Sequence, residues 1–255
     1  MANFALILQY DGARYNGWQR QGNTSNTIQE KLEVILEHLY GEPIDLNGSG
    51  RTDAGVHALR QVANYRIPRV LSRYSCQDIQ AYFNDCLPAD IRVLSVQKTD
   101  ERFHARLNAV GKLYEYRIDC GEVANIFDRR YLYRVEEPLN VPRMQEAAEY
   151  LIGTHDFRSF CANRQMKKST VRTIYDITFE QADGILYIRY HGDGFLYHMV
   201  RILTGTLIEI GLGDRGTSQI ALALENNDRS LAGFTAPPQA LFLVDVYYEE
   251  ENRSS

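Results

Sequence analysis

Arg51 and Asp53 stand two residues apart in Gly48-Ser49-Gly50-Arg51-Thr52-Asp53-Ala54-Gly55-Val56-His57-Ala58, a stretch with no other charge than theirs. Glycine costs a strand or helix interior about 0.5–1 kcal/mol relative to alanine, so three within eight residues belong where the chain turns sharply or a ligand comes close. In extended backbone, residues two apart share a face, which lets the Arg51 guanidinium lie near the Asp53 carboxylate and keep it ionised. Asp53 is then a ready anionic nucleophile or base. The same residues also have plainer readings. Asp in a glycine-rich turn bonds its own backbone, and Arg51 can be a solvated surface charge. His57 alone fits a packed or capping side chain better than a catalyst, although its pKa range suits acid–base work.

A second stretch, Gly192 to Arg201, puts His198 and Arg201 on what reads as an otherwise apolar helix. A buried guanidinium requires a carboxylate, and Asp53 is available; the alternative is that Arg201 snorkels to solvent. Lys112-Leu113-Tyr114-Glu115-Tyr116 alternates as a strand does, so Tyr114 is either core packing or a ring on which a base stacks at a cleft edge. Gly211-Leu212-Gly213-Asp214-Arg215-Gly216 matches the dinucleotide-binding glycine pattern in letters only. It follows a helix, not the strand that pattern needs, so these glycines end the helix instead.

The formal net charge of -5 argues mildly against an overall grip on nucleic acid, but binding uses one face. From Phe157 to Tyr175 the chain holds Arg158, Arg164, Lys167, Lys168 and Arg172 without one acid, and from Gly12 to Gln29 it holds Arg14 and Arg20, again without one. Lys167-Lys168 alone would read as a solvated face. With Tyr15, Trp18, Phe157 and Phe160 interleaved, the two stretches fit an RNA-facing groove in which cations hold phosphates and rings stack on bases.

Elements to position these groups are legible. Phe4 to Tyr10 reads as a buried strand, and Thr27 to Tyr40 as a helix striped by Ile28, Leu32, Ile35, Leu36 and Leu39, with Thr27 and Glu30 as a capping box. Strands at 44–46 and 61–67 flank the glycine loop; a helix at 75–86 and a strand at 93–99 complete βαββαβ, a ferredoxin-like or RNA-recognition-like order. The second half repeats the theme, with strands at 113–118, 171–179, 186–191 and 242–248 and helices at 142–152 and 195–210. The expected fold is α+β: two ferredoxin-like halves, residues 1–106 and 107–255, with mainly antiparallel sheets packed side by side around a central active-site cleft.

Composition sets the class. With 255 residues, 44% hydrophobic and 24% charged, the chain can bury a sizeable core, and no window approaches the ~18 apolar residues of a membrane span. Nothing at the start resembles a leader, so a soluble cytoplasmic protein is expected. Cys76, Cys86, Cys120 and Cys161 are scattered without metal-ligand spacing, which predicts reduced thiols and no metal. There is no Walker A run, no Gly-x-Ser-x-Gly elbow and no metalloprotease His pair, so nucleotide hydrolysis, esterase and zinc-hydrolase chemistry lack local support.

Taken together, Gly17-Trp18-Gln19-Arg20-Gln21, the loop around Asp53, Phe103-His104-Ala105-Arg106, Tyr114-x-Tyr116, His198-Met199-Val200-Arg201 and Pro237-Pro238 resemble the TruA family of tRNA pseudouridine synthases, nearly end to end. The resemblance implies isomerisation of uridine to pseudouridine near the 3′ side of the tRNA anticodon stem-loop, without cofactor or metal, by a homodimer. It implies that Asp53 is the catalytic aspartate, that Tyr114 packs against the target base, that Arg201 pairs with Asp53, and that Arg51 holds RNA or helps splay out the uridine. One departure is visible: Ala240-Leu241-Phe242-Leu243 stands where the family usually has Gly-Leu-Tyr-Leu, a conservative change for packing. Chemistry agrees with the assignment, because a carboxylate beside the sugar suits a reaction in which positive character grows at C1′. Asp53 could attack C1′, add to C6 of the base, or remove the 2′ proton. A non-catalytic RNA-recognition module is the alternative; a nucleoside or glycan hydrolase lacks a convincing second carboxylate.

Overall fold

The computed structural model describes residues 1–163 and 165–249. They form two compact units, one of Met1–Val110 with the chain from Phe242 on, the other of Gly111–Leu241. The first contains β1 (Ala2–Tyr10), α1 (Ile28–Tyr40), β2 (Leu46–Gly48), β3 (His57–Ile67), α2 (Cys76–Cys86) and β4 (Ile91–Thr99). The second contains β5 (Ala109–Asp119), β6 (Tyr133–Arg134), α3 (Val141–Glu149), β7 (Gly153–Asp156), β8 (Val171–Ala182), β9 (Ile185–Gly192), α4 (Met199–Leu212) and α5 (Gln219–Asn226). A last strand, β10 (Leu241–Tyr248), returns to the first unit.

In the first unit β1 lies antiparallel between β4 and β3, and β2 pairs with the far end of β3. That is the sheet order expected of βαββαβ. Alternation on β1 decides which face is covered: Phe4, Leu6, Leu8 and Tyr10 are buried, whereas Ile7 is half-buried and Gln9 exposed. Buried Ile28, Leu32, Ile35 and Leu36 on α1, and Ile79 and Phe83 on α2, complete this core. Both helices begin at caps. Ser75 and Asp78 form a reciprocal capping box on α2. On α1 the Thr27 hydroxyl accepts the Glu30 N–H at 3.3 Å, but the Glu30 carboxylate lies 2.7 Å from Arg20 Nε, so the expected box gives way to an ion pair.

The sequence reading leaves everything after residue 106 in the second half. Strand pairing shows why the last segment groups with the first unit instead: β10 runs parallel to β3, with Phe242 opposite His57 and Leu243 opposite Ala58. The Phe242 ring stacks on His57 at 4.7 Å and 22°, and the Tyr248 hydroxyl donates to the Ala105 carbonyl at 2.7 Å.

The second unit is an antiparallel sheet in the order β5-β9-β8-β7, with β6 alongside β5. The two-residue β6 and four-residue β7 were not legible, because segments such as Gly153-Thr154-His155-Asp156 lack apolar alternation. α4 is buried nearly all round, the pattern of a central helix rather than a surface one. Its two threonines satisfy themselves, Thr204 and Thr206 donating to the Val200 and Ile202 carbonyls at 2.8 Å each. The helix starts four residues later than periodicity suggests, since His198 adopts a left-handed conformation at its N-cap with φ 61°. It ends at Gly213, φ 88°, as the helix-stop reading of those glycines requires.

Gly205 on α4 touches the 233–236 segment so closely that a Cβ there would lie 2.0 Å from the Phe234 carbonyl oxygen. A helical Gly→Ala change ordinarily stabilises by about 1 kcal/mol, but overpacking against backbone costs about 1–3 kcal/mol, so Gly205→Ala should be neutral to about 2 kcal/mol destabilising. Gly22→Ala, where a Cβ meets nothing within 4 Å, is the control. Urea denaturation midpoints at unchanged slope check the pair; a clear rise in stability at Gly205 would show that the crossing is looser than described.

Candidate active site

Asp53 sits half-buried on the loop between β2 and β3. That loop is held against a second segment by main chain: the Trp18 N–H donates to the Thr52 carbonyl at 3.0 Å. Gly17 makes the approach possible. Its φ is 89°, and a Cβ there would stand 2.7 Å from Thr52 O and 3.1 Å from Ala54 N. The Trp18 indole, 2% exposed, fills the space beneath, tilted against the Tyr10 ring at 6.1 Å. Within the loop the Val56 N–H returns to the Asp53 carbonyl at 3.1 Å, closing a turn around the carboxylate-bearing residue.

Buried polar groups hold the loop as well. Tyr10 Oη and Thr52 Oγ1 are 2.8 Å apart, Ser49 Oγ donates to Gln61 Oε1 at 2.6 Å, and Gln61 Nε2 donates to the Gly50 carbonyl at 3.1 Å. Burial pushes the Tyr10 phenol up to about 12, so it remains a neutral donor at physiological pH. No motif or spacing marks Gln61, which reads as one more polar residue on a strand. His57 is 1% exposed, with Nδ1 3.1 Å from the Gly12 N–H and 3.0 Å from Asp11 Oδ1, a packed residue at the loop's exit. Phe242, where the family usually has tyrosine, covers its ring.

The expected Arg51–Asp53 ion pair is not formed. Arg51 is exposed, and its Nε donates to Gln19 Oε1 at 2.9 Å, with Gln19 Nε2 donating in turn to Gln29 Oε1 at 2.7 Å. The loop bends at Ser49-Gly50 and turns at Ala54-Gly55, and Gln19 of the neighbouring segment takes up the Arg51 side chain. Arg51 is thereby drawn toward the Gly17 to Gln21 segment.

In the second unit Tyr114 lies on β5 opposite Tyr190, 7% exposed, with its ring edge-on to Phe195 at 5.2 Å and 83°. Arg201, half-buried in the first turn of α4, donates from Nε to the Ala236 carbonyl at 2.7 Å, while the Ala236 N–H donates to the Arg201 carbonyl at 3.0 Å. The adjoining prolines are fixed by Tyr116, whose hydroxyl donates to the Pro237 carbonyl at 2.8 Å. Burial pushes that phenol well above its ordinary range. The Tyr-x-Tyr, Arg201 and Pro-Pro signatures thus belong to one packed arrangement.

The basic candidates divide. Arg14 donates to Asp90 through Nε at 2.9 Å, and Arg20 lies 2.7 Å from Glu30 and 3.4 Å from Glu33, so the stretch that is acid-free in sequence is met by acids in space. Lys167 and Lys168 are exposed, as is Arg158; Arg172 is half-buried and donates to the Ser169 carbonyl at 3.1 Å. Arg164 lies outside the described residues. The four interleaved rings do not face outward: Tyr15 is 6% exposed, Trp18 2%, Phe157 and Phe160 0%. They anchor their segments through apolar burial, and Tyr15 also donates to Asp90 at 2.6 Å. Exposed rings of the second unit that flank these cations in sequence are Tyr150 and Tyr175.

Among the described residues no group of three or more His, Cys, Asp or Glu side chains could hold a metal ion, the four cysteines are free thiols, and no helix is long and apolar enough to cross a membrane. What the geometry offers is a carboxylate on a loop pinned by main-chain and buried polar bonds, suited to act on a substrate that must be held at fixed distance.

Comparison with known proteins adds the family. A solved Cbf5-Nop10-Gar1 complex aligns over 96% of this chain and 50% of that one at 14% identity and a TM-score of 0.36, too low for comparing folds. The chain is 44% identical over 248 residues to tRNA pseudouridine synthase A of Bacillus sp. strain KSM-64, covering 97% of this chain and 100% of the relative. It is 42% identical to tRNA pseudouridine synthase A 2 of Bacillus cereus strain ZK / E33L and 41% to tRNA pseudouridine synthase A of Thermoanaerobacter sp. strain X514, each with the same coverage. The model of the tRNA pseudouridine synthase family matches residues 6–108 and 147–249, segments that include Asp53 and Arg201, with Tyr114 between them. The chain belongs to the tRNA pseudouridine synthase family.

Proposed function

We propose that this protein isomerises uridine to pseudouridine in the anticodon stem-loop of tRNA, near its 3′ side, with Asp53 as the catalytic carboxylate. Whole-length similarity to tRNA pseudouridine synthases supports the reaction, and the observation that carries the role of Asp53 is its loop, braced by Trp18, Tyr10 and Gln61. Tyr114 and Arg201 contact the target nucleotide, Arg51 holds RNA beside the loop, and Arg158, Lys167, Lys168 and Arg172 meet phosphates, with Arg14 and Arg20 as weaker contributors. A cytoplasmic homodimer is the working form.

The chemistry conserves atoms. The C1′–N1 bond breaks, the uracil turns, C5 bonds to C1′, and C5 gives up its proton while N1 gains one. The target base must leave its stack to be reached, and the detached ring must be retained until it returns. A fixed carboxylate serves each of the three routes open to it: attack at C1′, addition to C6, or removal of the 2′ proton.

Tritium release from tRNA labelled at uridine C5 reads the reaction, since only substitution at C5 expels the label. Asp53→Asn should lower turnover by at least about 10³-fold with tRNA affinity within about 3-fold, because one acid lost from an RNA-facing loop does not weaken phosphate contacts. Near-normal turnover would remove Asp53 from catalysis. Stoichiometric binding without release from any tRNA would favour an RNA-binding module instead.

The Asp53–Arg201 pairing that the resemblance implies is open to a double-mutant cycle with Asp53→Asn and Arg201→Leu. A coupling of about 1 kcal/mol or more in thermal stability is expected for groups in one ion pair, and strict additivity would contradict it.

Phosphate contacts are separable by salt. Replacing Lys167 and Lys168 together by alanine should weaken tRNA binding and lower the slope of log affinity against log salt by roughly 1–2. Arg14→Ala should lower it less, because Asp90 already offsets that charge. Equal slopes for both variants would show that the ion pair opens on binding.

A further inference from the structure

Gln61 lies within β3, opposite Leu8 of β1, and is completely buried. A buried amide needs all its hydrogen bonds, and each of this one's partners is tied to the loop that carries Asp53. Oε1 accepts from the Ser49 hydroxyl at 2.6 Å; Nε2 donates to the Gly50 carbonyl at 3.1 Å and to Tyr10 Oη at 3.4 Å. The Gly50 carbonyl fixes the amide's orientation, since the flipped form would set two acceptor oxygens against each other. Tyr10 Oη accepts from Gln61 and shares a second hydrogen bond with Thr52 Oγ1, 2.8 Å away, in which either hydroxyl can donate. One amide therefore reaches residues 49 and 50 directly and residue 52 through a phenol.

We infer that Gln61, acting through Tyr10, is a positioning residue for the reaction: it sets how far the loop projects the Asp53 carboxylate. The inference rests on Asp53 being the catalytic group. Neither residue needs to touch substrate. Their network runs without a break from Gln61 through Tyr10 to Thr52, so losing one member loosens more than one loop residue.

Gln61→Met keeps the side chain's length and removes its hydrogen bonds; Tyr10→Phe removes one hydroxyl. Single-turnover tritium release and tRNA binding are measured for both variants, wild type and Asp53→Asn, at a temperature where melting curves show each to be folded. A misplaced carboxylate predicts that Gln61→Met loses about 10²-fold in rate, and Tyr10→Phe less, with tRNA affinity within about 2-fold of wild type. If Gln61→Met does not fold, the same split in Tyr10→Phe decides. A wild-type rate in folded variants, or a loss confined to binding, overturns the inference while leaving Asp53 in place. Activity in Asp53→Asn overturns both.

Discussion

The hydrogen bond from the Trp18 N–H to the Thr52 carbonyl is the constraint from which the candidate site follows. It joins two loops over thirty residues apart without spending a side chain, and main-chain contact at that range demands that neither side carry bulk. Gly17 meets the demand by having no Cβ and a positive φ, and Gly48 meets it beneath, where a Cβ would lie 2.5 Å from the Trp18 indole. Trp18 therefore serves as a wedge rather than a stacking platform. Its burial explains why an aromatic sits in a segment that otherwise reads as polar and basic.

Local pattern carried most of the fold. The stripe on α1, the alternation on β1 and the stop at Gly213 are set within a few turns of chain, and each is where periodicity and capping put it. The places where sequence misled share a feature: each departs from the periodicity of its own element. Glu30 leaves its capping role for Arg20, His198 falls out of helical conformation at the start of α4, and β10 crosses to β3. Periodicity describes a residue's place within its own element, and none of these is set by that alone.

Charge shows the same limit. A window free of acids is not a surface free of acids, because Asp90 follows the first basic stretch by many residues and still meets both Arg14 and Tyr15. An exposed ion pair is worth little in stability, commonly 0 to about 1 kcal/mol, so such a pair can exchange its acid for a phosphate at small cost. Exposed lysines with no ion pair among the described residues carry no such competition. The distinction separates two kinds of cation that composition treats as one, and it favours Lys167 and Lys168 as the stronger source of counterion release.

The proposed reaction places unusual weight on rigidity. A hydrolase can let its leaving group diffuse away, but an isomerase must keep the detached base, turn it and bring it back to the same carbon. Any carboxylate that moved with the base would lose the reference against which the turn is made. Side chains on exposed loops ordinarily have such freedom, and the bonds around residues 49 to 52 remove it: a main-chain bond from Trp18, and a buried amide and a phenol from the strands. Those anchors lie within one compact unit, on strands whose register is set by alternation. The loop thus inherits the precision of the sheet, which is how a glycine-rich segment can be both permissive in conformation and fixed in position.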